Sequence, residues 1–224
     1  WVNSVALRQA GITKATPDPA GGKIVRGASG EPTGVLIDNA EGLVLAKQPA
    51  PSPEVRAHRL RAAAAVAIAA GLTAVHDMGI EEETADVYRK LAAAGELPLR
   101  VHAFMTGPAH LERLATPPAP PTGRFVMRGV KFYADGALGS RGTRLYGGYS
   151  DDPNNRGLWR TEPAALTKSV EVAVAGGWQV AIHAIGDAGV GSVIDAYLAA
   201  EQAHPGDHRL RIEHTQVIAP KDVP

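Results

Sequence analysis

Apolar positions in this chain come in two alternating kinds of block. Long alanine- and leucine-bearing stretches are followed by short β-branched ones. Pro53 to Ala70 predicts a helix, with Ser52 as N-cap, Pro53 at the first helical position and Gly71 where a left-handed cap ends it. Leu72 to Asp77 predicts a short buried strand. The same alternation predicts a helix over Glu82 to Ala94 closed by Gly95, a strand over Leu99 to Met105, and a short helix over Pro108 to Ala115. After a proline-rich connection come a strand over Val126 to Tyr133, a helix over Glu162 to Ala175, a strand over Gln179 to His183, a helix over Ala188 to Ala203 and a strand over Leu210 to His214. Lys221 and Asp222 read as the start of another helix.

The predicted strands start at 72, 99 and 126, then at 179 and 210, so they recur every 27 to 31 residues except across one interval. That is the length of a β-strand plus a crossover helix. The exception contains a loop from Ala134 to about Trp159, and a loop that long in a compact domain is usually functional. Five successive βα units predict an α/β architecture, either a (β/α)8 barrel or an open doubly wound sheet. No Gly-x-Gly-x-x-Gly follows the first strand, which counts against a dinucleotide-binding sheet. Residues 1–51 break the rhythm. Gly21 to Arg26 and Thr33 to Ile37 flank Gly27-Ala-Ser-Gly-Glu-Pro32 and predict a β-hairpin, an excursion with no separate core, within one domain whose βα units occupy 52–224.

Composition narrows the partners. The 224 residues are 45% apolar with zero formal net charge and no long run of one sign, so neither a nucleic acid nor an anionic membrane has a basic footprint to bind. The longest apolar run, Ala62 to Val75, is interrupted by Gly71 and too short to span a bilayer. There is no cysteine, which rules out disulfides and thiolate metal ligands and suits a cytoplasmic protein. A small-molecule substrate is the expected partner, and homo-oligomerisation stays open. The chain opens at Trp1 and closes at Pro224 without obvious terminal elements, as a piece of a longer protein would.

Three polar residues stand at apolar strand ends. Lys131 lies within Val126-Met-Arg-Gly-Val-Lys-Phe-Tyr133, ahead of the glycine-rich Ala134-Asp-Gly-Ala-Leu-Gly-Ser-Arg141. His183 and His214 close the next two strands. A buried lysine is costly as a free cation. CO2 converts its neutral amine to a carbamate, an anion able to bridge two metal ions. A strand-end histidine is commonly only a hydrogen-bonded structural residue, and a strand lysine commonly solvated or paired. The three in this order point instead to a metal site at the C-terminal mouth of a barrel. Strand alternation places Lys131 with Tyr133, Ala181 with His183, and Ile212 with His214, and turns Glu213 away from the site. His76 reads as another mouth-lining residue, a candidate for substrate contact. His58, His102, His110, His204 and His208 read as surface or helix-flank residues, and Asp187 as a helix N-cap. Arg141, Arg144 and Tyr146 on the long loop are candidates for substrate binding, with salt bridging inside the loop as the rival reading.

Several longer stretches carry a family resemblance. Trp1-Val-Asn-Ser-Val-Ala-Leu7, Gly30-Glu-Pro-Thr-Gly-Val-Leu36, Gly71-Leu-Thr-Ala-Val-His-Asp77, Val130-Lys-Phe-Tyr-Ala-Asp-Gly-Ala-Leu-Gly-Ser-Arg141, His183-Ala-Ile-Gly-Asp187 and Arg211-Ile-Glu-His-Thr-Gln216 resemble the amidohydrolase superfamily. The branch is that of the formamide-deformylase-like, metal-dependent hydrolases. The resemblance implies a partial TIM (β/α)8 barrel, approximately strands 2 to 6, with one or two divalent metal ions, usually zinc. Lys131 would be the carboxylated lysine of strand 4, with His183 and His214 the ligands of strands 5 and 6. The family's His-x-His pair and its general-base aspartate have no counterpart here; the aspartate is expected beyond Pro224. The implied activity is hydrolysis of a non-peptide carbon–nitrogen bond in an amide, formamide or cyclic amide. Two alternatives stand beside it: a non-catalytic or metal-free version of the fold, and deaminase or esterase chemistry on the same residues.

Overall fold

The structure is a computed structural model that describes residues 1–107 and 111–223. Its main body is a five-stranded parallel sheet in sequential order, β3 (Ala74–Ile80), β4 (Arg100–Thr106), β5 (Phe125–Tyr133), β6 (Gln179–Ala184) and β7 (Arg211–His214). Helix α3 (Pro53–Ala69) leads in, and α4 (Glu82–Ala93), α5 (Leu111–Leu114), α6 (Pro163–Ala175) and α7 (Asp187–Ala203) make the crossovers. The predicted helix at Pro108 is seen from Leu111; Pro108, Ala109 and His110 lie outside the described residues. A 3-10 turn over Pro220–Asp222 stands where a further helix was expected.

Ahead of the sheet, α1 (Ser4–Gln9), α2 (Gly42–Leu45) and the antiparallel pair β1 (Gly22–Arg26) and β2 (Pro32–Asp38) form the N-terminal excursion. The hairpin is as expected. The excursion nevertheless encloses a small cluster of its own, Ile12, Ile24, Leu36, Ala40 and Val44, where the sequence reading gave it no core. Asn39 fastens it to the main body, donating to the Arg160 carbonyl and accepting from the Arg160 side chain.

One face of the parallel sheet meets the helices. Val101, Met105, Phe125, Val130, Phe132, Val180 and Ile182 point there and pack with Leu166, Val170, Val190 and Val193. The opposite face is concave. In a flat sheet β3 and β7 would lie about 19 Å apart, four inter-strand spacings. Yet Arg211 Nη1 on β7 sits 2.9 Å from His76 Nδ1 on β3, with its guanidinium over the Phe104 ring of β4. Only a strongly curled sheet allows that contact, so the five strands form an arc of a barrel, as the βα rhythm predicted. Gly129 makes room inside the arc: a Cβ there would collide with the Phe104 ring.

Phe132 is completely buried between sheet and helices. Phe132→Ala is expected to lower unfolding free energy by about 3–5 kcal/mol, read by urea denaturation.

Candidate active site

Register decides which side chains share the concave face. Lys131 pairs with Ala181 and Tyr133 with His183 across β5–β6, and His183 pairs with Glu213 across β6–β7. Paired residues on parallel neighbours point the same way. Lys131, Tyr133, His183 and Glu213 therefore look into the arc, with Phe104 and Thr106 of β4. Two expectations change here. Glu213 faces inward, where it forms an ion pair with Arg211 at 2.9 Å and supports positive charge on Lys131. His214 pairs with Ala184, whose side chain lies in the helix-facing core, so alternation alone would turn it outward. Its backbone has φ +82°, uncommon for a bulky residue. That rotation carries the ring back, and the His183 and His214 ring centroids stand 4.6 Å apart.

Lys131 is 4% exposed. Its Nζ donates to the Phe132 carbonyl at 2.9 Å and lies 3.5 Å from the Tyr133 ring centroid; the Arg160 guanidinium is 4.5 Å from the same ring. Burial pushes its ammonium from the ordinary lysine range down to about 7, opposed by Glu213 and aided by Arg160. His183, with a side chain 13% exposed, is lowered to about 4, chiefly by burial; the Gly136 carbonyl opposes this, and Lys131, His214 and Arg160 add to it. His183 Nε2 lies 3.2 Å from the Gly136 oxygen. A carbonyl only accepts, so the neutral ring carries its proton on Nε2 and its lone pair on Nδ1.

The remaining predicted residues are placed elsewhere. β3 runs on to Ile80, so His76 is its third residue, exposed near the N-terminal end of the arc rather than at the mouth. It packs edge-on against His102 at 5.1 Å between ring centroids. His102 is half-buried rather than the surface residue expected; its pKa is lowered chiefly by burial, and its Nε2 is sealed from solvent. Arg141 pairs with Asp151 at 2.6 Å inside the long loop. Arg144 donates to the Gly157 carbonyl and stacks on Trp159. Tyr146 is half-exposed, under the Lys221 ammonium and against Gly191 of α7. Asp187 opens α7 and accepts from the Ala188 and Tyr146 N–H groups.

Three polar residues of the mouth escaped the sequence reading. Asp135, in the turn after Lys131, is fully buried and takes backbone hydrogen bonds from Ile185, Gly186 and Arg144. Burial raises its pKa, and those three N–H groups work against the rise. Asp38 ends β2 with φ +51° and presses its carboxylate against Gly136 and Gly142, where no Cβ would fit. Arg160 supplies the cation near Tyr133 and Lys131. Asp-Gly after a strand signals only a turn, and nothing local marks Asp38 or Arg160.

With the geometry in place, relatives can be compared. The sequence model of the amidohydrolase family matches residues 1–224. The chain belongs to the amidohydrolase family. It is 37% identical to YtcJ of Bacillus subtilis (strain 168), over 97% of this chain and 41% of that protein. It is 29% identical to the N-substituted formamide deformylase of Arthrobacter pascens, over 96% of this chain and 41% of that protein. Among solved structures, an uncharacterized metal-dependent hydrolase from Pyrococcus horikoshii OT3 superposes with TM-score 0.74 at 26% identity, covering 98% of this chain and 42% of the other. The chain thus spans about two fifths of the length of these relatives, and its fold is the corresponding partial TIM barrel with a hairpin near the N-terminus. Among the described residues, no helix is long and apolar enough to cross a membrane.

The metal question turns on the donors. Among the described residues, no group of three His, Cys, Asp or Glu side chains is arranged to hold a metal ion. The two close imidazoles, one held neutral by burial, and the adjacent low-pKa lysine are nevertheless donors that suit a divalent cation once the lysine is carboxylated.

Both site shifts carry a stability signature. Above about pH 7 folded Lys131 has shed a proton that the unfolded chain keeps to about 10.5, so stability rises with pH across that window. The unfolded chain protonates His183 below about 6.5 while the folded chain resists to about 4, so stability falls as pH drops between those values. Lys131→Met is expected to raise unfolding free energy near pH 7.5 by roughly 3 kcal/mol and to flatten the rise between pH 7 and 10, read by urea titrations at several pH values.

Proposed function

We propose that this chain contributes the central strands and part of the metal centre of a metal-dependent amidohydrolase acting on a non-peptide carbon–nitrogen bond. The supporting observation is that Lys131 and His183 face into the arc from successive strands and that the His214 ring, on the next strand, stands 4.6 Å from that of His183. A bound divalent metal, zinc by the chemistry of its imidazole donors, would lower the pKa of water and polarise the scissile carbonyl.

In this reading the chain's own residues prepare the centre. Burial lowers the Lys131 pKa to about 7, so that about half of it is the neutral amine near pH 7, the form that adds to CO2 with loss of one proton to give a carbamate. Burial likewise keeps His183 neutral, with the Nδ1 lone pair free. The Tyr133 ring lies 3.5 Å from the Lys131 Nζ and covers one side of the amine. The loop from Ala134 to Glu162 walls the mouth, and its internal pair Arg141–Asp151 stiffens it; Arg141, Tyr146 and His76 remain the substrate-binding candidates of this reading. The formamide deformylase among the relatives favours a formamide or related amide as substrate. Zinc, carboxylation of Lys131, and a general-base aspartate outside this chain belong to the same proposal.

The longer protein containing this chain is expected to purify with bound divalent metal and with Lys131 heavier by one carboxyl group in native mass spectrometry. It should hydrolyse an N-substituted formamide, and Lys131→Met or His183→Asn should lower kcat/KM by about a hundredfold or more. A preparation with neither metal nor modified lysine, active or not, would refute the assignment.

A further inference from the structure

Among the described residues Asp135 is the one fully buried carboxylate, and the metal-centre reading gives it no part. Its Oδ1 accepts from the Ile185 N–H at 3.0 Å; its Oδ2 accepts from the N–H groups of Gly186 and Arg144, each at 2.9 Å. These donors belong to two different segments. Ile185 and Gly186 form the turn that leaves β6 directly after His183 and Ala184. Arg144 lies on the long loop that follows β5. Oδ1 also lies 3.6 Å from His183 Nε2, the nitrogen that faces the carbonyl of the neighbouring Gly136. Around the carboxylate the packing is close: a Cβ on Gly189, in the first turn of α7, would stand 2.7 Å from Oδ2.

We propose that Asp135 is a positioning residue for His183. It pins the turn behind the histidine to the loop after β5, and its Oδ1, together with the Gly136 carbonyl, holds the ring as the Nε2-protonated tautomer, so that Nδ1 is the nitrogen offered to a ligand. Tying two loops together requires only the backbone contacts. The Gly136 carbonyl at 3.2 Å selects Nε2 as the protonated nitrogen, and Asp135 Oδ1 at 3.6 Å adds a second oxygen on the same side that reinforces the choice. The proposal rests on the metal-centre reading for its consequence in metal uptake, but not for the tautomer itself.

Nitrogen-15 NMR of the metal-free chain tests it, with the His183 signals identified by their loss in His183→Gln. The wild-type chain is expected to show a protonated Nε2 and an unprotonated Nδ1. Asp135→Asn should give mixed tautomers. Gly189→Ala keeps the carboxylate's charge but forces it to move, and should shift the tautomer ratio in the same direction; it also keeps the test open if Asp135→Asn does not fold. Titration of the longer protein with zinc alone should show an apparent Kd at least about tenfold weaker in Asp135→Asn. Retention of the wild-type tautomer in the folded variants, or an Nδ1-protonated ring in the wild type, overturns the assignment. Failure of the longer protein to take up zinc counts against the metal centre and leaves the tautomer to decide the role of Asp135.

Discussion

The register between β5 and β6 is the constraint on which the rest of the site depends. Lys131 opposite Ala181 and Tyr133 opposite His183 put a lysine, an aromatic ring and an imidazole on one concave surface while Val130, Phe132, Val180 and Ile182 fill the opposite one. Strand side chains repeat every two residues, so a slip of one residue would move Lys131 into the apolar layer and Phe132 into the mouth. The apolar layer thus fixes the polar one. The residues of the candidate centre need no attraction to each other to meet; the packing of their neighbours places them.

The concave face carries costs that the helix-facing layer offsets. Lys131 sits in a setting that disfavours its charge, His183 in one that disfavours protonation, and His214 in a backbone conformation that costs on the order of 1–3 kcal/mol for a residue of its kind. None of these choices helps the chain fold. All of them shape donors: an amine near neutrality, a neutral imidazole with a defined lone pair, and a second imidazole turned back toward the first. Such concentrations of unfavourable terms are what a site selected for chemistry shows.

Much of this was legible in the sequence because burial and periodicity are local. Helix caps at Ser52 and Gly71, β-branched runs at regular spacing, and the turn residues between Arg26 and Thr33 marked the parallel arc and the hairpin, and an apolar strand holding one lysine marked a buried amine facing the concave side. Legibility failed where a residue's direction depends on partners far along the chain. Extending β3 to Ile80 moved His76 from the mouth to the exposed N-terminal end of the arc, because pairing with β4 and not the apolar run sets the strand's end. Alternation turned Glu213 outward because it took its phase from His214, whose positive φ breaks the regular strand. Asp135 looked like a turn residue until the β6–α7 turn and the long loop were both seen to hang on it.

The contact between Arg211 and His76 has a kinetic meaning. It joins residues 135 positions apart, on the first and last strands of the arc. Every strand between them must be docked and curled before the guanidinium can reach the imidazole. The pair therefore marks the completion of the sheet: it can be present only in molecules in which all five strands have found their neighbours, and it is absent from any partly folded form that lacks even one.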